Sequence, residues 1–198
     1  IPNFLIKCIN QHHDTFASKI IRFFHGNRNI QRILVNETIK KKINTARFKH
    51  IVAPQKYLYH IPGRPLSLSD ENYIVLSEKL DILCKKCNRH QFAHHLSLEQ
   101  EQEVMGIIET IGYGDAHLDN ICFLRNGKIA FIDTEPHGTV DFLTVIPGFE
   151  RATHALSVKV GQDLFRRECH ARSLETETRE PETLCSIECY PECTWCNC

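Results

Sequence analysis

Apolar residues recur along this chain in two rhythms. Phe4-Leu5-Ile6 is a short unbroken run closed by Lys7, and Tyr73-Ile74-Val75-Leu76 is a second, running into Ser77-Glu78-Lys79-Leu80-Asp81. Both have the length and the flanks of strands. Ile30, Ile33, Leu34 and Glu37 instead follow the i, i+3, i+4, i+7 spacing of one helical face. That register turns Glu37 inward with its apolar neighbours, where a carboxylate needs a cation. Glu37 is also the only acid between positions 15 and 69, a stretch crowded with Lys and Arg. An exposed residue neutralised by Lys40, Lys41 and Lys42 is the other reading. Further on, Val104, Ile107, Ile108 and Ile111 form the inward stripe of a helical connection spanning Asn88 to Ile111, with Ser97 as a cap. His154 to Arg167 predicts one more helix.

The most informative segment lies between these helices. Ile121-Cys122-Phe123-Leu124 and Ile129-Ala130-Phe131-Ile132 flank Asn126-Gly127, the strongest short hairpin signal, because both central residues tolerate positive φ. Two antiparallel strands of about five residues would return Asp133 to the neighbourhood of Asn120, at roughly 3.3 Å of rise per residue. Ahead of the hairpin stands Tyr113-Gly114-Asp115-Ala116-His117-Leu118-Asp119-Asn120. On such a loop Asp115 can accept a proton from a hydroxyl nucleophile, while the amide oxygen of Asn120 and the carboxylate of Asp133 hold a magnesium ion.

Asp115-x-His117-x-x-Asn120, a strand pair and Ile132-Asp133-Thr134-Glu135 together resemble the catalytic segment of the protein-kinase-like superfamily. The closest resemblance is to its aminoglycoside and choline phosphotransferase branch. That branch usually writes His-Gly-Asp-x-His-x-x-Asn, and this chain carries Tyr113 in place of the leading His; Glu135 fits the small-molecule branch. The resemblance implies an α+β, bilobal kinase-like fold that transfers the γ-phosphoryl of ATP, with Mg²⁺, to a hydroxyl on a small molecule or protein. It implies that Lys7 meets the α and β phosphates, that Glu37 pairs with Lys7, and that the backbone of Glu78 and Leu80 meets the adenine edge. It further implies a partial N-lobe and hinge over residues 1–82, a short C-lobe with the catalytic loop over 83–170, and a weakly ordered acidic linker and cysteine-rich tail over 171–198. Phe142, Leu143, Val145, Ile146 and Phe149 are expected to pack beneath the loop.

No glycine-rich turn precedes the Lys7 strand, and the chain opens at Ile1. Three expectations follow: a fragment of a longer protein, an enzyme that covers its nucleotide in another way, or a catalytically impaired pseudokinase or scaffold.

Charge and cysteine content add rivals. Residues 1–69 hold twelve Lys/Arg against two Asp/Glu and the remainder twelve against twenty-two, so the two parts carry +10 and −10. A basic surface of this kind suits polyphosphate or nucleic acid, but no aromatic-rich RNA-reading motif accompanies it. No apolar run approaches eighteen residues and no secretory leader is legible, so a cytoplasmic protein off the membrane is expected. Of ten cysteines, five fall from Cys185 onward. Cys193-x-x-Cys196, and Cys84-x-x-Cys87 followed by His90, leave a zinc-binding interaction module as the alternative function, although the spacings match no common finger.

Overall fold

The computed structural model describes residues 4–7, 28–64, 72–134 and 150–170, with the backbone alone at 4–7, 28 and 150–153. Glu135, the segment around Phe142 to Phe149, the linker and cysteine tail, and the side chain of Lys7 lie outside the described residues. The described architecture is mixed α+β, with four helices and two small sheets.

Asn126-Gly127 turns the chain as expected. Gly127 adopts φ +79°, the Leu124 amide donates to the Lys128 carbonyl and the Gly127 amide to the Leu124 carbonyl, and Asn126 Oδ1 accepts from the Lys128 amide. The strands it joins are β5 (Ile121–Phe123) and β6 (Ile129–Phe131), shorter than predicted, with Ile121 opposite Phe131. All six of these strand residues are buried on both faces, which explains their unbroken apolar character. The short β2 (Ile51–Val52) adds to β6 in parallel and completes one sheet in the order β2-β6-β5.

The other sheet is antiparallel and places β4 (Tyr73–Glu78) between β1 (Phe4–Lys7) and β3 (Lys56–His60). Lys7 sits opposite Val75, and Lys56 opposite Ser77. After β4 the chain crosses to the second sheet, where Leu83 donates to the Phe123 carbonyl and Arg125 to that of Asp81.

Helix α1 (Arg28–Ala46) departs from its predicted register. Asn29, Arg32, Asn36 and Ile39 form the buried face, whereas Leu34 is 61% exposed and Glu37 faces solvent. The physical reason is that this face is anchored by polar bonds: Asn29 Nδ2 donates to the Tyr73 carbonyl and Asn36 Nδ2 to that of Pro54, each at 2.9 Å. Apolar spacing therefore misassigns the inward side.

The helical connection resolves into α2 (Lys85–His94) and α3 (Leu98–Ile111). Ser97 caps α3 in a reciprocal box with Gln100, and Val104, Ile107 and Ile108 are buried as the stripe predicts. α4 (Glu150–His170) packs its buried Phe165 edge-on to Phe92, closing the core over β5 and β6. No helix among the described residues is long and apolar enough to cross a membrane.

Candidate functional site

Loop 113–120 leaves α3 through Gly112, whose φ of +64° ends the helix in the left-handed conformation. Tyr113 then turns into the core, 1% exposed, with its ring 6.1 Å from Phe131. Its hydroxyl donates to the backbone carbonyl of Asp133, tying the start of the loop to the far end of the hairpin. α4 closes on this turn at Gly161, where a Cβ would stand 1.9 Å from the Tyr113 carbonyl oxygen.

Asp115 and Asn120 meet within the loop. Asn120 Nδ2 donates to Asp115 Oδ2 at 2.9 Å and to the Asp115 carbonyl at 3.1 Å. His117 Nδ1 accepts from the Asp119 amide at 3.2 Å. Its Nε2 lies 3.4 Å from Asp115 Oδ1 and 3.1 Å from Asn120 Nδ2. Asp115 is thus oriented on both oxygens, yet its side chain retains 29% exposure. Such a carboxylate can still receive a proton from outside.

Asp133 arrives from the hairpin as expected. The Ile132 amide donates to the Asn120 carbonyl at 2.9 Å, which sets the residue before Asp133 beside Asn120. Asn120 Oδ1 takes no hydrogen bond among the described residues. With the Asp133 carboxylate it supplies two hard oxygen donors, the chemistry that suits Mg²⁺.

Two cations unforeseen in the sequence meet the segment 132–134. Arg32 Nε lies 3.7 Å from Asp133 Oδ1 with its side chain only 8% exposed. Lys56, 7% exposed, donates from Nζ to the Ile132 carbonyl at 3.0 Å and to Thr134 Oγ1 at 2.9 Å. Thr134 Oγ1 in turn donates to the Arg32 carbonyl at 2.9 Å. The segment 132–134 is therefore held at every residue by side chains from α1, β3 and the loop. No local signal marks Lys56, since a lysine heading a strand ordinarily serves as an edge charge.

Asn88 was equally illegible. It is buried on α2, donates to the carbonyls of Leu118 and Ile121, and accepts from the Phe123 amide at 2.7 Å, so it splints the exit of the loop into β5. Outside it, Asp119 is gripped by Lys85 at 2.6 Å and Arg89 at 3.4 Å. Burial pushes the Asp119 pKa up, but the Lys85 hydrogen bond and the charges of Lys85, Arg89 and His117 outweigh it and hold the carboxyl below its ordinary value.

The upstream residues fare differently. Glu37 does not turn inward: its side chain is 57% exposed and bonds Lys40 at 2.8 Å, while Lys40 also bonds Gln55. The expected inward carboxylate is corrected to a surface ion pair, because α1 is rotated by the anchoring of Asn29 and Asn36. Lys7 closes β1 at the backbone level. Glu78 ends β4, its amide donating to the Gln55 carbonyl and its carboxylate accepting from the Gln55 amide. Leu80 lies two residues along the crossing and is half-buried.

Among the described residues, one set of three metal-capable His, Cys, Asp or Glu atoms lies within 4.8 Å, namely His50, Glu99 and Glu103. Glu103 has a structural task there, accepting the amides of Lys49 and His50 at 2.8 Å each, and Glu99 pairs with His50 and Lys49 at the surface. Comparisons with protein families, with curated proteins and with solved structures find no match to this chain.

Proposed function

We propose that the protein is an ATP-dependent phosphotransferase of kinase-like fold, acting in the cytoplasm on a hydroxyl-bearing small molecule or protein. The observation that carries the reading is the meeting of Asp115, Asn120 and the Asp133 backbone on one loop and one hairpin. The order strand, helix, two strands, crossing, helices, loop, hairpin also supports it. Free thiols at the buried Cys122 and Cys169 fit a reducing compartment.

In this reading Asp115 orients the acceptor hydroxyl and takes its proton as the oxygen bonds to the γ-phosphorus. The bond from that phosphorus to the bridging oxygen breaks, and ADP leaves. Asn120 and Asp133 hold Mg²⁺, which when bound neutralises charge on the phosphate oxygens. Lys7 positions the α and β phosphates on the strength of the resemblance, without Glu37 as its partner. The backbone of Glu78 and Leu80 flanks the adenine. His117 and Tyr113 position Asp115 and Asp133 respectively, and catalysis rests on that placement.

The test is ATP consumption with candidate hydroxyl acceptors, beside a Mg²⁺-dependent nucleotide thermal shift. Asp133→Ala should abolish turnover and the Mg²⁺-dependent shift together, whereas Asp115→Asn should abolish turnover and spare the shift. Equal activity in wild type and Asp133→Ala would refute the enzymatic reading. A catalytically impaired scaffold is the second reading, favoured by the outward Glu37 and by Arg32 beside Asp133. A nucleotide shift with no turnover in any variant selects it.

A further inference from the structure

Glu103 carries a buried charge that no side chain neutralises. It stands on α3 with 6% exposure, and both of its oxygens accept backbone amides, Oε1 from Lys49 and Oε2 from His50, at 2.8 Å each. Those donors are neutral, and among the described residues no lysine or arginine pairs with this carboxylate. A carboxylate so deeply buried ordinarily meets a full positive charge, supplied either by a side chain or by a metal ion.

Two further donors stand beside it. Glu99 lies one turn earlier on the same helical face, and His50 directly precedes β2, where its carbonyl accepts from the Ile129 amide at 2.7 Å. His50 is thus fixed at its own amide and at its own carbonyl. Ligand atoms of His50, Glu99 and Glu103 all lie within 4.8 Å of one another, and His50 Nε2 is 3.3 Å from Glu99 Oε2. Ligands bound at about 2.0–2.2 Å to one tetrahedral ion are separated by roughly 3.4 Å. One edge of that tetrahedron is therefore in place, and small rotations of the exposed Glu99 side chain and of the His50 ring, a third exposed, close the others.

We propose that His50, Glu99 and Glu103 form a binding site for a divalent transition metal, with Zn²⁺ as the reference ion and water in the fourth position. Each Glu103 oxygen keeps a second lone pair beside the one that takes an amide, so the carboxylate ligates the ion without releasing the backbone. The two amides then serve as the outer bonds that orient a metal ligand. Glu99 exchanges its surface partner Lys49, 3.7 Å away, for the ion. One imidazole with two carboxylates suits Zn²⁺ or Mn²⁺, and the nitrogen donor selects against Mg²⁺, so this site differs in chemistry from the oxygen donors of Asn120 and Asp133. The ion clips α3 to the chain that enters β2, and the inference does not depend on the phosphotransferase reading.

The test is a Zn²⁺ titration of the full chain followed through the ¹H–¹⁵N correlations of the His50 ring and of the Lys49 and His50 amides, a residue-specific readout that separates this site from zinc held by cysteines elsewhere. The three signals should move together and saturate, and the same concentration of Mg²⁺ should leave them in place. In Glu99→Gln and in His50→Ala, both at side chains that reach the surface, the Lys49 amide should need at least the roughly tenfold more Zn²⁺ that even the loss of an outer-sphere partner costs. Unmoved signals at saturating Zn²⁺ overturn the proposal. So does a response of unchanged affinity in either variant, or one that Mg²⁺ reproduces.

Discussion

Tyr113 shows how a single atom changes the reading of a motif. Where the resembling branch has histidine, this chain has a phenol, and the phenol reaches the Asp133 carbonyl from a fully buried ring. A hydroxyl at that place spans loop and hairpin without introducing a charge. Tyr113→Phe keeps the ring and removes the donor, leaving a carbonyl that has lost a buried partner. We expect a loss of about 1–2 kcal/mol in urea unfolding. In the phosphotransferase reading turnover should fall further than stability does, because Asp133 loses its tether. Histidine at the same position should restore part of the turnover, which a merely space-filling role for the ring does not predict. Asp119, two residues beyond His117, belongs to the surface of the same loop and serves its anchoring through Lys85 and Arg89.

Elements here are positioned by contacts that leave little clearance. α4 can lie across the Tyr113 turn only because position 161 lacks a side chain; a Cβ there would meet a backbone oxygen, which cannot rotate away as a side chain would. Gly161→Ala should therefore destabilise the fold by about 2–3 kcal/mol in chemical denaturation, against the slight gain that alanine brings to an ordinary helix interior. An unchanged midpoint would mean that α4 does not approach the turn so closely. α2 works in the opposite way, through Asn88, whose amide fills three backbone bonding sites at the end of the loop. One helix is thus pressed on the loop by the absence of a side chain and another is bonded to it by a particular one.

At the scale of the molecule, Cys122 on β5 and Cys169 on α4 report on the same core from distant parts of the chain. Burial, and next the Asp119 charge, pushes the Cys122 thiol up to about 12; burial, and next the charges of Glu101 and Glu168, does the same for Cys169, also to about 12. Both should resist iodoacetamide in the folded protein at mildly alkaline pH and react once denaturant opens the core, as peptide mass mapping would record. Rapid labelling of either in the native state would mean that β5 or α4 is not packed as described. The cations that reach the segment 132–134 show the same long reach, since the Lys56 to Thr134 bond joins residues 78 positions apart.

The meeting of Asp115 with Asn120, and the return of the hairpin to Asn120, were legible because the turn chemistry that produces them is local. The loop spans a few residues, and Asn126-Gly127 admits one tight turn, which fixes the register of two short strands. The Ser97 cap was legible for the same reason, the donor and acceptor being three positions apart. Glu37 was not, because which side of α1 faces inward depends on Asn36 and Asn29 bonding to carbonyls 18 and 44 residues away. Arg32, Lys56 and Asn88 carry no local mark at all: burying an amide or an ammonium becomes favourable only when a distant acceptor is delivered to it. Local turn and capping chemistry is written in adjacent residues, whereas the compensation of a buried polar group exists only after the chain has folded.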